Sequence, residues 1–127
     1  MRLYNRTEFL NLPSGVIFCS GEPYAFGNLR VKGESLVESN DFIALELQTI
    51  ESAGSGDCID RLDEMLHTGA SYPMNTDYGR DGAFDQAEVF LVWDTVDLMD
   101  FHQLVTNAVR AISRAGGLPP GGSAPKP

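Results

Sequence analysis

The sequence predicts an α+β fold: a mainly antiparallel sheet of about four or five strands with two amphipathic helices packed on one face. Three observations carry that expectation. Residues 15–20, 29–34, 41–50 and 89–93 are short apolar or alternating runs punctuated by Gly, Pro, Asn and Ser, the pattern of strands. Two later segments, 57–66 and the stretch from Asp94 to about Ala115, repeat apolar residues at helical spacing. The chain has 127 residues, 43% of them hydrophobic and 21% charged, which suits one globular domain with a real core. Residues 1–115 are therefore read as a single domain. The Gly/Pro-rich stretch 116–127 cannot pack and is expected to be disordered.

Each element has a local cause. Residues 7–12 form a short helical turn that Asn5 or Thr7 is placed to cap and that Pro13 cannot continue. The first strand, 15–20, is bounded by Pro13-Ser-Gly15 and Gly21-Glu-Pro23. In 29–34, Leu29 and Val31 point one way while Arg30 and Lys32 point the other, which puts two cations on the open face of a half-buried strand. The third strand, 41–50, is followed by a flexible link, 51–56. Helix 57–66 has an apolar stripe of Ile59, Leu62 and Leu66, and Gly69 suits the position that ends it. Val89–Trp93 is the most apolar run in the chain. Asp94-Thr-Val-Asp97 then opens the last helix, with an acid three residues after a cap candidate, and Leu98, Phe101, Val105, Ala108 and Ile112 line one side.

Charge narrows the function. The net charge is −9. Between Glu34 and Asp100 sixteen acids face only Arg61 and Arg80, a local −14. Binding a phosphate backbone needs a basic footprint, so direct DNA or RNA binding is not expected. No segment reaches the roughly 18 apolar residues of a membrane span. The first residues lack the apolar core of a secretory signal, and two cysteines are too few for a disulfide framework, so a cytoplasmic protein with two reduced, mostly buried thiols is expected.

No nucleophile elbow, phosphate-binding loop or dinucleotide fingerprint is present, and neither His67 nor His102 lies near a Ser or Cys in a recognisable arrangement. The expectation is a protein without catalysis and without a cofactor. Residues 77–88 match a calcium loop at several positions, with Asp77, Asp81, Asp85, Gly82 and Glu88, but Gly79 offers no ligand and no helices flank the loop. No metal site is expected; Asp and Gly there are read as turn formers. A small-ligand site is the stronger candidate. Tyr24, Phe26, Tyr72, Tyr78 and Phe84 sit in loops, with Arg30, Lys32 and Arg80 nearest in sequence. Aromatic faces stack on bases and Arg forks hold phosphate, so these eight residues are the expected ligand-binding set.

Three segments, 6–15, 21–33 and 71–82, about a third of the chain, resemble small accessory proteins of tailed phages and prophages. In size and expected architecture the chain is similar to the Thoeris anti-defence sponge proteins. That resemblance implies a phage-encoded, oligomeric anti-defence protein. It would sequester a cyclic nucleotide or ADP-ribose-type immune signal in the host cytoplasm without catalysis. The acidic middle supports an alternative: a nucleic-acid-mimicking inhibitor that blocks a host defence complex such as CRISPR.

Overall fold

The computed structural model describes residues 1–122. The chain divides into two compact units. The first comprises Met1–Thr49 and Met74–Asp97; the second comprises Ile50–Pro73 and the described residues from Leu98 onward.

The first unit is an antiparallel sheet. Its strands are β1 (Arg2–Tyr4), β2 (Ile17–Glu22), β3 (Ala25–Phe26), β4 (Arg30–Leu36), β5 (Asp41–Glu46), β6 (Tyr78–Arg80) and β7 (Val89–Val92). They lie in the order β1-β7-β2-β4-β5-β6, with β3 paired to β2. The mainly antiparallel α+β class is as the sequence predicts, and the four expected runs become β2, β4, β5 and β7. The sheet has seven strands because β1, β3 and β6 add two or three residues each, too short to show a full period of alternation.

A five-residue helix, α1 (Arg6–Leu10), closes the core of this unit. Asn5 caps it: its side chain accepts from the Glu8 amide at 2.9 Å, and the Glu8 carboxylate accepts from the Asn5 amide at 3.0 Å. Such a reciprocal cap contributes about 1 kcal/mol. The helix delivers Phe9 onto three sheet phenylalanines. Its ring stacks on Phe90 at 4.1 Å and meets Phe18 at 4.6 Å and Phe42 at 5.0 Å. Leu10, Ala44 and Val92 complete the buried cluster.

The second unit contains α2 (Ser55–Thr68), and most of α3 (Thr95–Arg114), whose first residues belong to the first unit. An Asp57–Arg61 ion pair at 3.0 Å braces α2 one turn in. Gly69 ends it at φ +74, where a Cβ would come within 2.7 Å of the Gly121 carbonyl. The Asp94 amide donates to the Asp97 carboxylate at the start of α3, the cap its sequence predicts. Gly116 and Gly117 close its other end through bonds to Ser113 and Ile112. Leu118–Gly121 run beside Met65 and Gly69–Ser71, while residues 123–127 of the Gly/Pro-rich tail lie outside the described residues. Helix α1 fills the core of the first unit, and neither α2 nor α3 contains a buried residue. Cys19 and Cys58 are half-buried thiols, less buried than expected. No helix among the described residues is long and apolar enough to cross a membrane.

Candidate functional site

The densest chemistry in the first unit is an ionic cluster buried against the phenylalanines. Helix α1 carries Arg6 one turn before Phe9, so both side chains reach the same face of the sheet. Arg6 is 1% exposed. Its guanidinium lies 3.3 Å from Glu88, 3.6 Å from Asp81 and 3.7 Å from Asp41, and its Nε donates to the Asn40 carbonyl at 2.9 Å. Strand β4 brings Arg30 alongside, 2.8 Å from Asp81 and 2.6 Å from the Ser20 hydroxyl. Its guanidinium sits 4.9 Å from the Phe18 ring centre and 5.6 Å from that of Phe42. At the start of β5 Asp41 is fully buried. It accepts from the amides of Phe42 and Gly82 and from Arg80 Nε at 2.8 Å.

This cluster holds down the segment between β6 and β7. The Asp81 amide bonds to the Phe42 carbonyl at one end of β5, and Val89 pairs with Gly21 near the opposite end of the sheet. Residues 81–88 thus cross the core face, tied by Asp81, Gly82 and Glu88 to arginines and to Asp41. Two carboxylates respond in opposite directions. Burial pushes Asp41 upward, but the Gly82 and Phe42 amides and Arg80 outweigh it and hold Asp41 below the usual carboxylate range. Glu88 is raised, first by burial and then by the neighbouring Asp81 charge, with Arg30 and Arg6 opposing.

Arg30 and Lys32 correct the sequence reading. The alternation in β4 is right, but the face is reversed: both cations lie on the core side. Lys32 is 1% exposed, with Nζ bonded to the Ser35 hydroxyl at 2.7 Å and the Gly33 carbonyl at 3.2 Å, and 5.7 Å from the Phe9 ring centre. Burial lowers its pKa. Ser35 in turn donates to the Leu10 carbonyl, tying α1 to β4. A register shift between Lys32 and Ser35 allows this geometry.

The remaining expected ligand residues are dispersed. Tyr24 tops the two-residue turn joining β2 to β3, fully exposed at φ +75. Phe26 follows on β3, and Tyr78 lies on edge strand β6 beside Arg80. Phe84, in the crossing segment, also has positive φ, at +55. Tyr72 belongs to the second unit, where its hydroxyl donates to Glu64 and Arg61 stacks on its ring at 4.7 Å. A cavity of about 160 Å³ does occur in the first unit, lined by Tyr4, Leu12, Val16, Val92 and Trp93 with the Arg2–Asp94 ion pair at 3.0 Å. None of the eight expected ligand residues lines it.

The calcium-loop spacing has a different cause. Tyr78–Arg80 is a strand, Asp81 and Glu88 face arginines, and Asp85 accepts from the Ala87 amide as a turn former. Among the described residues, no group of three or more His, Cys, Asp or Glu could hold a metal ion. Arg6 and Asp41, the most buried charges of the cluster, escape sequence reading because their partners lie far away in the chain. Asn5-x-x-Glu8 marks only the helix start.

Tyr24 yields a direct expectation. A tyrosine in the left-handed region is strained by about 1–2 kcal/mol, partly offset on replacement by the extra freedom of an unfolded glycine. Tyr24→Gly removes a side chain with no burial, so it should raise stability by up to about 1 kcal/mol in urea unfolding. Comparison with protein-family models, curated proteins and solved structures finds no match to this chain.

Proposed function

We propose that this protein is a non-catalytic binding protein whose acidic sheet unit engages a basic protein surface. One observation carries this reading: the first unit spends its cations internally. Arg6, Arg30 and Lys32 are drawn against the phenylalanine core, while the more exposed Arg2 and Arg80 pair with Asp94 and Asp41. Glu22, Glu34, Glu38, Asp77 and Asp85 stay at the surface. Such a surface repels nucleic acid and attracts the basic groove of a nucleic-acid-binding protein, the setting expected for a phage inhibitor of a host defence complex. Tyr24 and Phe84, exposed and strained, would serve as aromatic anchors in that contact, because tyrosine and other aromatics dominate interface energetics. Sequestration of a nucleotide draws less support, since Arg30 and Lys32 are committed to the interior.

The test is calorimetry with two probes, an oligo-arginine peptide as a stand-in for a basic surface and a set of cyclic nucleotides. The peptide should bind with an affinity that falls steeply as salt rises. Converting Glu22, Glu34, Glu38 and Asp77 to their amides should weaken it about ten-fold or more. Tight binding of a cyclic nucleotide, with no salt-sensitive binding of the peptide, would overturn the proposal.

A further inference from the structure

The cavity in the first unit plays no part in the acidic surface, and its walls come from one end of the sheet. Register sets Arg2 of β1 opposite Val92 of β7, and alternation along β1 puts Tyr4 on the same face as Arg2. Leu12, just after α1, and Val16, just before β2, close the space; both of them and Tyr4 pack against the phenylalanine cluster. Trp93, whose amide donates to the Ile17 carbonyl at 2.9 Å, completes an interior of aliphatic and aromatic walls. Its volume of about 160 Å³ suits a single ring; an apolar cavity of about 150 Å³ takes up benzene.

The mouth has a definite polarity. The Arg2 and Asp94 side chains are 70% and 45% exposed and stand at the opening, whereas Val92, at 7%, is the inner wall. The carboxylates there already have donors. Asp94 accepts from Arg2 Nε at 3.0 Å and from the Thr95 amide at 2.8 Å. Asp97 accepts from the Met1 amine at 2.6 Å and from the Asp94 amide at 2.8 Å. Arg2 is bonded through Nε alone among the described residues, which leaves Nη1 and Nη2 as a fork. A guanidinium pinned in this way offers two neighbouring N–H groups, the arrangement that a carboxylate accepts with both oxygens. Helix α3 begins at Thr95, beside the same opening, and the start of a helix also favours an anion.

We propose that this cavity binds a small aromatic carboxylate: the ring enters the space walled by Tyr4, Trp93, Leu12, Val16 and Val92, and the carboxylate takes the Nη1–Nη2 fork of Arg2, which Asp94 holds in place. A cationic ligand is disfavoured because both Asp94 oxygens already accept a hydrogen bond. A nucleotide is too large for the volume. The inference goes beyond the acidic-surface reading and stands whether or not a basic partner binds elsewhere.

Trp93 is the only tryptophan in the chain, so its emission reports occupancy of the cavity. Phenylacetate titrated into the intact chain should change that emission saturably, with a Kd of about 0.1–1 mM for a ligand of this size. Benzyl alcohol keeps the ring and loses the charge; it should bind about ten-fold or more weakly than phenylacetate. Arg2→Gln, at an exposed position, should weaken phenylacetate binding by a similar factor. Val16→Phe should abolish binding by filling the space, with thermal unfolding as the check that the variant is folded. If that variant does not fold, the Arg2→Gln and benzyl alcohol comparisons still decide the matter. The proposal is overturned by the lack of a saturable response to phenylacetate at about ten-fold above that range. Equal affinity for benzyl alcohol, unchanged affinity in Arg2→Gln, or unchanged affinity in a folded Val16→Phe would each overturn it too.

Discussion

Asp41→Ala is expected to cost about 3–5 kcal/mol of folding stability, because it strips a buried partner from two arginines and two backbone amides at once. Asp41 is fully buried. Without it Arg80 Nε and the Phe42 and Gly82 amides lose their acceptor. Arg6 Nη2, which has no hydrogen-bond partner among the described residues, loses a charge 3.7 Å away. A domain typically has only about 5–15 kcal/mol to lose. The pH dependence follows from the sign of the shift. Asp41 is held below its ordinary value of about 3.9. Its ionised form therefore stabilises the fold above that value, and the contribution fades as pH falls through the lower folded value. Asp41→Asn keeps the shape and removes the charge. Urea unfolding of wild type and Asp41→Asn should differ most near neutral pH and converge in acid; a constant gap across that range would contradict the role assigned to the carboxylate.

Phe9→Ala should be as damaging for a different reason, also about 3–5 kcal/mol. Phe9 is the ring that contacts Phe18, Phe42 and Phe90, so its loss leaves a cavity at the centre of the cluster. The short helix that carries it has little stability of its own. Thermal unfolding should show a large drop in midpoint for Phe9→Ala and a smaller one for Phe9→Leu, which refills part of the space. Equal effects would mean that ring packing is not what anchors α1.

The two substitutions probe the parts of the molecule that differ most in how well the sequence announced them. Phe18, Phe42 and Phe90 lie on apolar runs whose strand character needs no partner to be recognised. Asn5, Gly69, Asp94 and Asp97 mark helix ends because a cap is a contact within one turn, written in neighbouring residues. The ionic cluster is different. Arg6 meets Asp41, Asp81 and Glu88 across separations of 35 to 82 residues, and nothing local in the chain signals those meetings. Alternation in β4 separated Arg30 and Lys32 from Val31 correctly, yet polarity alone pointed the cations to solvent.

Local order was thus determined by the sequence itself: the antiparallel α+β class, the four main strands, the capped helices, and the acidic balance of the chain. All of these depend on propensity, periodicity and composition, which act over a few residues or over the chain as a whole. Tertiary structure alone decided which face of β4 is the inside, why residues 77–88 are rich in Asp and Gly, and which helix closes the core. Each of those outcomes depends on desolvation. A buried arginine is tolerated only where distant carboxylates and aromatic rings converge on it, and that convergence exists only once the chain has folded.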